Sequence, residues 1–118
     1  MSSSADSRPV IVLTTLGAQT DAAAFARVLV EERLAACVNV LPAVTSVYRW
    51  KGAIEEEGEQ QLLIKTTMAC VAALEARFQE MHPYELAEFL VLGVSDGSAA
   101  YLSWLVESVQ QLPNRHRE

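Results

Sequence analysis

The chain has 118 residues, 51% of them hydrophobic and 20% charged, with 9 basic against 15 acidic side chains and a net charge of −6. That length suits one core and not two, the apolar content is too high for a disordered chain, and the acid excess argues against polyanion binding, so no nucleic-acid partner is expected. No apolar run approaches the ~18 residues of a membrane span, and the segment up to Pro9 lacks the basic start and apolar stretch of a signal peptide, so no membrane partner and a cytoplasmic location are expected.

Pro9 to Thr15 is a short run rich in β-branched residues, expected as a strand buried on both faces. Gly17 to Asp21 breaks it, and Thr20 or Asp21 can cap a helix carrying Ala22, Phe25, Ala26, Leu29, Val30 and Leu34 at helical spacing. Cys37 to Leu41 reads as a second strand, interrupted at Pro42 by an edge or bulge position and resumed from Val44 to Trp50. Lys51-Gly52 is a turn signal, and a third strand carries the acidic run Glu55, Glu56, Glu57 and Glu59 before continuing to Thr67. Thr67 is placed to cap a second helix with Val71, Leu74, Phe78 and Met81 on one side, which His82-Pro83 ends. Phe89 to Val94 reads as the fourth strand, and Ser98 caps a last helix with Leu102, Leu105, Val106 and Val109 on its apolar side.

The order β-α-β-β-α-β-α predicts an α+β fold, the ferredoxin-like split βαβ plait with a long central hairpin. Residues 9–111 are expected as a single domain, with 1–8 a disordered tail and 112–118 a frayed one. Fourteen extended residues reach ~46 Å, whereas a domain of this size is roughly 35 Å across. The hairpin should therefore overhang its own core, and Val47, Tyr48 and Trp50 near its tip favour pairing with other subunits.

The familiar catalytic and nucleotide-binding motifs are missing. Two cysteines are too few for a disulfide framework, so reduced thiols are expected, with one Cys37–Cys70 bridge left open. Cys37, between Ala36 and Val38, reads as a small apolar residue, and Cys70 begins the second helix. His82, Met81, Met68 and Cys70 are of types that suit copper, but Met68 and Met81 lie at opposite ends of one helix, roughly 20 Å apart. Met81 also continues the apolar stripe.

Five segments in order resemble the CutA family of divalent-cation tolerance proteins: Leu34 to Val40, Ser46 to Gly52, Leu63 to Thr67, His82-Pro83-Tyr84-Glu85 with Glu88, and Tyr101 to Trp104. The resemblance covers about residues 10 to 110. It implies a ferredoxin-like subunit in a PII-like homotrimer, an association with tolerance of copper or another divalent cation, and no defined reaction, so the chain is expected not to be an enzyme. The family pattern falls on Cys37, Tyr48, Trp50, Lys65, His82, Tyr84, Glu88 and Trp104.

From these follow two candidate sites. A cleft between subunits lined by Trp50, Lys65, Tyr84 and Glu88 would take a small anionic ligand or metabolite, and His82, with Cys37 from the family pattern, would be the metal ligands. Copper-binding members can present Cys at the position of Thr14 and a second His at that of Met81, so the carried-over copper site is weakened here. The family's usual Pro is replaced by Ala87, which loosens the loop before Phe89. The main reading is a trimeric protein of metal tolerance. The alternatives are a PII-like metabolite-binding or signalling protein, an enzyme handling protons with Lys65 and Glu88, and a purely structural assembly.

Overall fold

The computed structural model describes residues 6–82 and 86–112. The elements are β1 (Pro9–Gly17), α1 (Ala22–Glu31), β2 (Cys37–Trp50), β3 (Ala53–Thr67), a 3-10 turn (Met68–Cys70), α2 (Val71–Met81), β4 (Leu90–Gly93) and α3 (Ala99–Ser108), the order expected from the sequence. The strands form one sheet in the order β2-β3-β1-β4, every neighbouring pair antiparallel. The third strand thus lies between the two that α1 connects, which is the split βαβ arrangement.

Local chemistry sets the helix ends. Asp21 Oδ1 accepts from the Ala24 amide at 3.1 Å, and Ser98 Oγ accepts from the Tyr101 amide at 3.3 Å. Thr67 does not cap as expected. Its hydroxyl donates to Cys70 Sγ at 3.5 Å, because the 3-10 turn separates it from α2. Arg33, with φ of 60°, ends α1 while the Leu34 amide reaches back to the Leu29 carbonyl at 3.0 Å.

The sheet has one covered and one open face. Alternate residues of β1 and β3, among them Val12, Leu16, Leu62 and Ile64, pack with Phe25 and Leu29 of α1 and Leu74 and Phe78 of α2. On the other face Ile11, Leu13, Leu63 and Lys65 are half-buried and only Thr15 of the Pro9–Thr15 run is buried, so the run is covered throughout on one side only. The reason is that α1 and α2 lie on the same side. Leu105 of α3 and Val109 just past its end join Ala36 and Cys70 in a small separate cluster. β4 is shorter than expected: Phe89 falls outside the ladder and sets its ring 5.4 Å from that of Phe78.

The hairpin does project. β1 pairs with β3 only as far as Gly17 opposite Glu59, and beyond that point β2 and β3 continue as a two-stranded ribbon to Trp50 opposite Ala53. Lys51 and Gly52 take φ of 52° and 84°, the left-handed pair of a type I′ turn. The molecule's longest dimension is 50 Å against 34 and 26 Å for the others.

Both flanking segments are held where they are described. The Asp6 and Arg8 carbonyls accept from the Ala69 and Met68 amides, each at 2.9 Å. Gln110 donates from its amide to the Arg33 carbonyl at 2.9 Å and from Nε2 to the Glu32 carbonyl at 2.7 Å. Cys37 and Cys70 are free thiols.

Candidate functional site

The register of β2 changes at Pro42, and this change makes the site. Leu41 pairs with Gln61 and Val44 with Glu59, so two residues of β2 oppose Gln60 alone. An extra residue in a strand reverses which side chains point to each face. Before the bulge Cys37, Asn39 and Leu41 share the open face with Lys65, Leu63 and Gln61. After it Ser46, Tyr48 and Trp50 share that face with Glu57, Glu55 and Ala53. Without the bulge Thr45, Val47 and Arg49 would stand there instead.

A cavity of about 560 Å³ results on the open face where the ribbon leaves the body. Tyr48, Trp50, Glu57, Glu59 and Glu88 line it, together with Thr15, Ser46, Val47 and Leu86. Tyr48 Oη donates to Glu57 Oε1 at 2.8 Å. That hydrogen bond, followed by partial burial and the charges of Glu57, Glu55 and Glu59, pushes the phenol pKa up to about 12. Glu59 is 8% exposed. Gln61 Nε2 donates to Glu88 Oε2 at 3.3 Å and to the Thr14 carbonyl at 2.8 Å, while the Thr14 hydroxyl donates to the Glu88 carbonyl at 2.6 Å. Glu88 is thereby tied to β1 and β3 at the cavity edge.

The four residues expected in one cleft separate within a single chain. Trp50 and Glu88 both line the cavity. Lys65 lies elsewhere: it pairs with Cys37 and with Ile11, and its Nζ stands 3.4 Å from Tyr101 Oη and 5.6 Å from that ring's centroid. Glu88 bonds to Gln61, four residues from Lys65 along β3, a separation of roughly 13 Å. The proton-handling pair Lys65 and Glu88 is therefore not assembled within one chain. Tyr84 lies outside the described residues.

The proposed metal ligands are apart as well. His82 ends α2, its ring 4.6 Å from Phe78 and 6.4 Å from Phe25, and its Nε2–H donates to the Thr15 carbonyl at 2.8 Å. Cys37 makes a weak 4.0 Å contact to Asn39 Oδ1. Thr15 and Cys37 are separated by four residues along the strands and two strands across, roughly 16 Å. Among the described residues no three His, Cys, Asp or Glu side chains converge to hold a metal ion.

Glu57 and Glu59 are site residues that the sequence reading did not select, and Tyr48 entered it through the family pattern without being placed in the cleft. By sequence the acidic run is only part of the third strand, and the signal that places it in a cavity is Pro42, whose bulge turns the aromatic residues onto the same face.

A family model described as "CutA1 divalent ion tolerance protein" matches residues 10–108. The divalent-cation tolerance protein CutA of Thermus thermophilus is 44% identical over 98 residues, which span 83% of this chain and 95% of that protein. The human protein CutA is 50% identical over 80 residues, 68% of this chain but 45% of the human protein, so the chain spans about half of that relative. Among solved structures, the Thermus thermophilus divalent cation tolerance protein superposes with a TM-score of 0.83 at 42% identity, covering 86% of this chain and 99% of that one. CutA1 from Oryza sativa gives a TM-score of 0.83 at 32% identity over 87% of this chain and 94% of that one.

Proposed function

Because the chain belongs to the CutA1 divalent ion tolerance family, we propose that it acts as a homotrimeric binding protein in the response to divalent metal ions, its ligand held in the cavity at the root of the hairpin and enclosed by a neighbouring subunit. The observation that carries this reading is the uncovered sheet face. Leu90 and Leu92, opposite Leu13 and Ile11, are 55% and 47% exposed, and the cavity opens on the same face. Apolar surface of this kind is covered by association. A second sheet packed on it would bury the leucines, wall the cavity and leave its ligand in a low-dielectric cleft.

The metal association comes from the family. In this reading a copper ion would draw on both His82 and Cys37 only across a subunit boundary, since one chain holds them apart. Regulation by ligand-dependent signalling fits the same cleft. Catalysis by Lys65 and Glu88 would require the two residues to come from different subunits.

Light scattering tests the assembly. The expected result is a mass three times that of the 12.9 kDa chain, reduced to the single-chain mass by Leu90→Asp with Leu92→Asp, circular dichroism remaining that of a folded α+β protein. A wild-type mass of one chain at micromolar concentration would overturn the proposal.

A further inference from the structure

At the end of the sheet away from the hairpin, the segment that follows α3 closes a cluster of its own. Ala36, Cys70, Leu105 and Val109 are buried there with Leu112 packed against them, and none of these residues belongs to the core between the sheet and α1 and α2. Within α3 itself the buried residue is Leu105, while Tyr101 and Trp104 stay exposed.

Gln110 fastens the segment to two other elements. Its amide donates to the Arg33 carbonyl at 2.9 Å, its Nε2 donates to the Glu32 carbonyl at 2.7 Å, and its carbonyl accepts from the Cys70 thiol at 3.3 Å. The Glu32 and Arg33 carbonyls lie just past the end of α1, where intrahelical donors run out. Cys70 is 0% exposed, and its sulfur also accepts from the Thr67 hydroxyl at 3.5 Å. Undocking the segment would hand two helix-end carbonyls to water and uncover Val109 and Leu112. It would leave Val12, Leu62, Ile64 and Phe78 packed as they are. Segments held this way open at the low end of a protein's stability, ahead of its core.

We propose that residues 109–112 are a latch that opens while the sheet, α1 and α2 stay folded, and that the Cys70 thiol is reached in the open form alone. In the closed form the sulfur is enclosed between Thr67 and Gln110, so a substituent on Cys70 and a docked Gln110 exclude each other. The reactivity of this thiol is thereby set by a conformational equilibrium and not by simple exposure. The latch lies at the far end of the sheet from the hairpin cavity and is independent of what that cavity binds.

Cys37→Ser leaves Cys70 as the single thiol of the full-length chain. Its alkylation by N-ethylmaleimide is followed by mass spectrometry at neutral pH and at urea concentrations below the unfolding transition, with the assembled mass checked by light scattering. The core reporter is Val12→Cys, at a position 0% exposed, in a chain also carrying Cys37→Ser and Cys70→Ala. The Cys70 thiol should react at least tenfold faster than the Val12→Cys thiol. Its rate should rise less steeply with urea, because opening the latch exposes little surface. Gln110→Ala should raise the Cys70 rate at least threefold and leave the core reporter within twofold. Equal rates with equal urea dependence would show that Cys70 is reached by global unfolding and would overturn the proposal. A Cys70 rate that Gln110→Ala leaves unchanged would overturn it as well. Should Val12→Cys not fold, protection of the Ile64 amide against hydrogen exchange in the Cys37→Ser chain supplies the opening of the core for the same comparison.

Discussion

The two faces of one sheet follow different rules, and adjacent residues of β3 display the difference. Leu62 is fully buried among Phe25, Leu29, Leu74 and Phe78, in a core completed by this chain's own helices. Leu63, the next residue, points to the other side, opposite Leu13 and Asn39, and is only half-buried. The covered face is finished when one chain folds. The open face combines an apolar root, Ile11, Leu13, Leu63, Leu90 and Leu92, with an aromatic and acidic outer half, and in the proposed assembly its apolar part is finished by a neighbouring subunit.

The largest effect should come from making the same change on both faces. Leu62→Ala leaves a void in a closed core and should cost ~3 kcal/mol, read as a lower denaturation midpoint independent of protein concentration. Leu63→Ala should cost less than about 2 kcal/mol, and its effect should grow on dilution if, as proposed, this face meets a neighbouring subunit. Equal, concentration-independent losses at the two positions would remove the distinction between the faces.

This distinction was only partly legible in the sequence. The β-branched run at Pro9, the helical stripes after Asp21 and Thr67, and the Lys51-Gly52 turn sufficed for the element order, because each is a local signal. That the Pro9–Thr15 run is covered on one side was not legible, since an apolar strand reads the same whether its second face meets a helix or another chain. The site was harder still. Trp50 and Glu88 belong to the family pattern, but nothing local in the acidic run assigns it to a site, and only the register of Pro42 against Gln60 shows that Glu57 and Glu59 share a face with Tyr48. A bulge is expected at a strand proline, but whether one or two residues are accommodated is decided by pairing, which is not a local property.

The second effect tests that bulge. Deleting Ala43 removes the extra residue, so Pro42 alone opposes Gln60 and the pairs Leu41–Gln61 and Val44–Glu59 are both kept, with Tyr48 and Trp50 still on the open face. Removing one residue from an exposed edge strand leaves the core of Leu62, Ile64 and Phe78 in place, so the folded far-ultraviolet spectrum should persist. Trp50 emission should be unchanged. A shifted emission would mean that the faces of the outer hairpin are not set by the pairing on the two sides of the bulge.

The smallest effect concerns the acidic half of the open face by itself. The hydrogen bond that Tyr48 gives to Glu57 holds the phenol in its neutral form, with its pKa at about 12 in place of 10.0. The folded value lies above the unfolded one, so the hydrogen bond's contribution to stability is fully present below pH ~10 and is lost as pH rises through about 12. Ultraviolet titration of the phenolate, taken as the difference between the parent and Tyr48→Phe, should show this late midpoint. Glu57→Gln removes the charge while keeping an acceptor, and should move the midpoint back toward 10. Glu55→Gln should move it less, because Glu55 acts only through its charge. If Glu55→Gln moved it as far as Glu57→Gln, a diffuse acidic field and not one oriented carboxylate would govern this half of the face.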